Sequence, residues 1–247
     1  MRRRHFIKVI AGSAAAWQLA AIAQLDGAAT AVDAVTAPRA VMVYNSLGTC
    51  NGVVLAQDLV LTAAHCIVGK VNFKIVGLID DTLYSLADVA AAEPHPQYIA
   101  TTAPVPLTVP DMALLRLLKP LPMPFGPALL ATRTVAVGDR VEVVGRVAPS
   151  GSRTSTESAG MGVFAVMRVE NYMFVLADQP GYGEVSRLGG CYGFSGAPVF
   201  AIRTGVPQLA GIMRAGDCGH YLVVTPIAPF RDWLAETAKR LGSQFAP

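Results

Sequence analysis

The chain has 247 residues, 53% of them hydrophobic and 15% charged, with 20 Lys+Arg against 17 Asp+Glu. The length bounds one large or two small domains. Residues 1–31 hold Arg2, Arg3, Arg4, Lys8 and Asp26, so the remainder carries 16 charges of each sign and gives no electrostatic case for nucleic acid.

Met1 to Ala31 reads as an export segment rather than part of the fold. Arg2-Arg3-Arg4-His5-Phe6-Ile7-Lys8 is a basic head, and an alanine-rich apolar run follows from Val9 to Ala23. Ala21-Ile22-Ala23 and Ala29-Thr30-Ala31 offer cleavage sites, after Ala23 or Ala31. Arg3 to Lys8 resembles the twin-arginine export consensus. An uncleaved anchor is the alternative, but the apolar run falls short of the roughly 20 residues a membrane helix needs. The expectation is export to the periplasm or beyond, with no stable membrane association once the segment is removed.

From Ala40 onward, short runs rich in Val, Ile and Leu alternate with Gly, Pro, Asn and Asp. The predicted strands are Ala40–Tyr44, Gly52–Ala56, Leu59–Thr62, Val71–Val76, Ala113–Leu118, Arg140–Val144, Val163–Val169, Tyr172–Ala177, Ala197–Ile202, Gln208–Met213 and Tyr221–Val224. So many short strands point to an all-β barrel or sandwich. Pro120 to Pro127 is too proline-rich for helix or central strand and reads as a connector between two halves. Pro149 to Ser158 reads as an exposed loop. Only the end is helical: Phe230, Trp233, Leu234, Ala238 and Leu241 share a face, and Gly242 stops it.

The four cysteines, Cys50, Cys66, Cys191 and Cys218, read as disulfides in an exported chain. Spacing alone does not choose their pairing. There is no C-x-x-C pair, and His65-Cys66 is the only adjacent His/Cys pair, so no metal site is expected. No cofactor motif is visible.

Gly189-Gly190-Cys191-Tyr192-Gly193-Phe194-Ser195-Gly196-Ala197-Pro198 sets a serine in a glycine-rich turn ahead of a buried strand. Such a turn exposes the hydroxyl and lets backbone N–H groups converge beside it, which suits a nucleophile next to an oxyanion hole. His65 follows an apolar run in Thr62-Ala63-Ala64-His65-Cys66. Asp111 heads the apolar run Asp111-Met112-Ala113-Leu114-Leu115, where a carboxylate is costly unless hydrogen-bonded. Each signal is weak singly. An α/β-hydrolase would need G-x-S-x-G and the order Ser, Asp, His; position 197 is Ala and the alternating βα pattern is missing.

Together these segments resemble the chymotrypsin/trypsin-like serine proteases. Thr62–Cys66 matches their TAAHC motif, Asp111–Leu115 resembles DIALL, and Gly193–Pro198 resembles GDSGGP, in the same His, Asp, Ser order. The resemblance implies two antiparallel six-stranded β-barrels with a C-terminal helix: a domain over 32–245, a first barrel at about 40–119, a connector at about 120–132, a second barrel at about 133–226 and the helix at about 229–241. It implies His65, Asp111 and Ser195 as a catalytic triad, Gly193 and Ser195 as oxyanion donors, and disulfides Cys50–Cys66 and Cys191–Cys218. The substrate would be a protein or peptide, hydrolysed by a monomer without a cofactor.

Three departures stand out. Position 194 is Phe where most members have an Asp that pairs with a new N-terminus; Val32 to Val43 holds no matching IVGG-like segment. Phe194 is therefore expected to fill apolar space, with no propeptide switch of the usual kind. The specificity pocket, expected from Gly189, Gly216 and Gly219, carries no charge and predicts a neutral apolar or aromatic preference. Arg214 replaces the serine of the usual SWG segment; it is expected beside the substrate and close enough to Asp111 to pair with it and weaken it as the histidine's partner. These departures motivate an alternative, a catalytically inactive binding protein of the same fold.

Overall fold

The computed structural model describes residues 35–46, 48–69, 72–79, 82–100, 107–145, 160–178, 194–202, 206–216 and 221–245. Thirteen strands, three short 3₁₀ turns and one α-helix make up the described part. Strands β1 (Ala40–Asn45), β2 (Gly48–Ala56), β3 (Leu59–Thr62), β4 (Lys74–Ile79), β5 (Thr82–Pro94) and β6 (Ala113–Leu117) close a barrel in the order β1-β2-β3-β6-β5-β4. All its pairings are antiparallel.

Strand β7 (Leu129–Leu130) is short and pairs parallel with β12 (Gln208–Gly216). Strands β8 (Arg140–Gly145), β9 (Gly160–Glu170), β10 (Met173–Asp178), β11 (Pro198–Ala201), β12 (Gln208–Gly216) and β13 (Tyr221–Pro226) form the second sheet. The order β11-β8-β9-β10-β13-β12 closes on itself because β11 also pairs with β12. The all-β expectation of two six-stranded antiparallel barrels therefore holds. The terminal helix α1 spans Arg231–Arg240 after a 3₁₀ turn at Ala228–Phe230. Gly242, at φ +76°, ends it in the left-handed conformation that glycine adopts at low cost.

The apolar runs are nearly continuous because many strands are buried on both faces. Val54, Val60 and Leu115 point into the first barrel, whereas Val53, Leu59, Leu61 and Leu114 meet the second barrel and the helix. In the second barrel Val199 faces the interior and Phe200 faces that shared core. Successive side chains on a strand point to opposite faces, so each barrel strand supplies both its own interior and the inter-barrel layer. Phe230, Leu234 and Ala238 of the terminal helix seal the same layer.

Two strands were not legible in the sequence. β5 is the longest, yet only Leu86 and Ala87 along it are buried. Its alanines and acidic residues carry little strand propensity, and hydrogen bonds to β4 and β6 hold it instead. β7 has two residues, too few for any pattern. The strand expected at Val71–Val76 lies three residues later, at Lys74–Ile79.

Candidate active site

His65 sits in the 3₁₀ turn Ala64–Cys66 that follows β3. Asp111 lies just ahead of β6, which pairs with β3 through Thr62 and Ala113. That pairing brings the two residues together at one end of the first barrel. Asp111 is 1% exposed, and both carboxylate oxygens are used. Oδ1 accepts the backbone N–H of His65 at 3.0 Å, and Oδ2 lies 2.7 Å from His65 Nδ1. A proton on Nδ1 is thus directed at Asp111, which leaves Nε2 with a lone pair. The His65 side chain is 28% exposed, so its far edge faces outward while its near edge is fixed.

Ser195 belongs to the second barrel and is partly buried just before β11. Its carbonyl accepts the backbone N–H of Asn51 in β2 at 2.6 Å. The Asn51 carbonyl in turn accepts the Thr62 hydroxyl at 2.6 Å. Cys50, next to Asn51, is disulfide-bonded to Cys66, next to His65, with an S–S distance of 2.07 Å. A short route therefore joins the serine turn to the histidine turn across the two barrels. The Gly196 N–H donates to the Met213 carbonyl at 2.7 Å, tying the turn to β12 as well.

Gly196 has φ +83°, and a Cβ there would lie 2.0 Å from the Asn51 carbonyl oxygen and 2.6 Å from the Thr62 hydroxyl. Only glycine permits both the conformation and the close approach. Phe194 is 4% exposed and packs in the second barrel's interior with Val143 and Val199, where the ring lies flush on Gly145. The apolar filling expected of Phe194 is what the structure has.

Arg214 is buried, at 4% exposure, and its Nη1 donates to the Val109 carbonyl at 2.9 Å. Burial pulls its guanidinium below the ordinary value, while the Asp111 carboxylate and then Tyr98 hold it up. Burial first, and Asp111 second, push the Tyr98 phenol above its usual range, with Arg214 opposing. Gly216 ends β12 and is exposed. Gly189, Cys191, Gly193, Cys218, Gly219 and residues 1–31 lie outside the described residues. Asn51 and Tyr98 were not singled out from the sequence; neither sits in a pattern that would mark it.

Cys50, His65 and Cys66 bring their ligand-type atoms within 4.8 Å of one another. Both sulfurs are spent in the disulfide, so the set lacks the thiolates a metal would need. Among the described residues no helix is long and apolar enough to cross a membrane.

Among solved structures, the chain resembles neuropsin, a serine protease expressed in the limbic system of mouse brain, with a TM-score of 0.63 and 18% identity over 82% of this chain and 95% of the other. It also resembles kallikrein-related peptidase 10, with a TM-score of 0.59 and 22% identity over 82% of this chain and 95% of the other. At these identities the likeness speaks for the fold. No curated protein sequence matches the chain. A family model described as Trypsin matches residues 29–234, which takes in both barrels and the start of the terminal helix. The chain belongs to the trypsin family.

Proposed function

We propose that the chain is a serine endopeptidase acting through His65, Asp111 and Ser195. The observation that carries this reading is the doubly bonded Asp111 carboxylate, which holds the His65 ring at 2.7 Å and its backbone N–H at 3.0 Å. A serine hydroxyl is a poor nucleophile at neutral pH. In this reading Nε2 of His65 takes the Ser195 proton as Oγ attacks the substrate carbonyl, and a tetrahedral oxyanion forms. The imidazolium then gives that proton to the leaving amine, and the acyl-enzyme remains. Water, deprotonated by the same ring, releases the acid and restores the serine. Asp111 fixes the tautomer and stabilises the imidazolium without itself taking the proton.

The backbone N–H groups of Gly193 and Ser195 would receive the oxyanion, each typically worth ~10²–10³ in rate. Gly189, Gly216 and Gly219 would form an uncharged specificity pocket that favours neutral apolar or aromatic side chains. Residues 1–31 would be the export segment and 32–245 the peptidase unit. The Cys50–Cys66 disulfide is in keeping with an oxidising compartment.

Labelling with a fluorophosphonate tests the reading. The chain with Ser195 and His65 intact is expected to be labelled, and His65→Ala and Ser195→Ala proteins that remain folded are not. Labelling that survives His65→Ala would sink it.

A further inference from the structure

The serine turn meets the first barrel where two of its strands part. β2 and β3 pair at Val53 with Leu61 and at Val54 with Val60. Ahead of Val53, among the described residues, β2 pairs with β1 alone, and the Asn51 N–H turns to the Ser195 carbonyl of the second barrel. Two links span the gap. The Thr62 hydroxyl donates to the Asn51 carbonyl at 2.6 Å, and the Cys50–Cys66 disulfide joins the neighbour of Asn51 to the neighbour of His65. The strands themselves do not need the disulfide, because the β2–β3 and β3–β6 ladders hold β3. What it fixes is the spacing between the strand that clamps the serine turn and the turn that carries the histidine. The fit there is close: a Cβ on Gly196 would lie 2.0 Å from the Asn51 oxygen.

The two sulfurs differ in access. Cys66 is 2% exposed and belongs to the first barrel's packed interior, whereas Cys50 is partly buried at its margin. A thiolate from solvent therefore attacks the Cys50 sulfur and expels the Cys66 thiolate, and a second thiol clears the mixed disulfide. One protein disulfide and two small thiols become two protein thiols and one small disulfide; two electrons and two protons enter the protein. A small or protein disulfide reverses the exchange. Two thiol sulfurs cannot share the space that one bond held. Cys66 is packed in place, so the separation falls on Cys50 and on Asn51 beside it.

Resting on the peptidase reading, we infer that the Cys50–Cys66 disulfide is a redox switch on the site. Oxidised, it holds the Asn51 peptide against Ser195; reduced, it lets that clamp slacken while both barrels stay folded. Phe194 stands where the family's activating carboxylate would be, so a new N-terminus has no partner there. Oxidation fills that role instead. Thiols persist in a reducing cytoplasm and pair outside it. A chain exported in the folded state is thus idle before it leaves and gains its site on arrival.

The test uses the full chain, equilibrated in mixtures of reduced and oxidised dithiothreitol, with its thiols then alkylated and mapped by mass spectrometry. Fluorophosphonate labelling is expected to slow by roughly tenfold or more as Cys50 and Cys66 become thiols, and to return on reoxidation. By NMR, the Asn51 amide is expected to exchange roughly tenfold faster in the reduced chain, while amides of β6 and β10, each paired on both sides, keep their protection. Cys50→Ser/Cys66→Ser, never treated with reductant, is expected to match the reduced chain in both readouts; should it fail to fold, the reduced chain carries the comparison. Labelling that falls only as Cys191 and Cys218 open overturns the proposal. So does an Asn51 amide equally protected in both forms, or loss of protection throughout the reduced chain, which would make the disulfide a staple of the whole fold. Exchange needs no turnover, so an oxidised chain that resists fluorophosphonate would sink the peptidase reading and leave the Asn51 amide to decide the switch.

Discussion

The backbone N–H of Asn51, in the first barrel, donates to the carbonyl of Ser195, in the second, at 2.6 Å. This bond clamps the serine turn to the strand that carries the Cys50 disulfide, and it leaves no room for a side chain on the next residue. Gly196→Ala would place a Cβ 2.0 Å from the Asn51 oxygen at φ +83°. A left-handed non-glycine residue alone costs ~1–3 kcal/mol. Gly196→Ala is expected to lower the thermal midpoint and to slow fluorophosphonate labelling more than tenfold, read by calorimetry and gel fluorescence. Unchanged labelling would show that the clamp does not set the turn.

Asp111→Asn replaces a double acceptor by a group with one acceptor and one donor. Either the His65 N–H or the Nδ1 edge then meets an amide NH₂. If the amide donor faces Nδ1, the ring proton moves to Nε2 and blocks acceptance from the serine. By analogy with the loss of this carboxylate in other triads, kcat is expected to fall by about 10⁴ with the fold retained. Steady-state kinetics beside a circular dichroism spectrum checks it; a fall of less than about tenfold contradicts the role.

Phe194 lies flush against Gly145, where an added Cβ would fall 2.1 Å from the ring. Gly145→Ala and Phe194→Ala are therefore both expected to destabilise, the second by ~3–5 kcal/mol through the cavity it leaves. The double variant Gly145→Ala/Phe194→Leu is expected to recover part of the first loss, because the smaller side chain admits the new methyl. Urea unfolding of the wild type, Gly145→Ala, Phe194→Leu and the Gly145→Ala/Phe194→Leu double variant gives the coupling. Strict additivity would show that the two residues do not share one space.

His95 supplies a pH dependence. Its ring is 7% exposed, lies 5.2 Å from Phe230 and 4.8 Å from Trp233, and its Nδ1 accepts the Gln97 N–H at 3.2 Å. Burial pulls the imidazole below its ordinary 6.5. Below that pH the unfolded chain binds a proton that the folded chain refuses, so this contribution to stability is complete above 6.5 and lost as pH falls further. His95→Gln is expected to flatten the decline of the thermal midpoint between pH 7 and pH 5, as the chain's ordinary imidazole range dictates. An identical slope in both proteins would rule this histidine out as its source.

The amino-acid pattern determined the fold class. Val, Ile and Leu runs cut by Gly and Pro specify strands wherever both faces are buried, as in β3 and β6, where every residue but Arg116 is buried. The three motifs around His65, Asp111 and Ser195 were equally legible, because their spacing and residue types are local. Tertiary structure decided what local pattern cannot carry. β5 is a strand only because β4 and β6 satisfy its backbone. Asn51 matters only because a second barrel brings Ser195 to it. Arg214 was expected beside Asp111 only through the family resemblance; a one-residue shift in the β12–β13 register makes it the extra residue of a bulge and its Nη1 donates to the Val109 carbonyl. Register, closure and burial depend on partners far along the chain, and no window of neighbouring residues contains them.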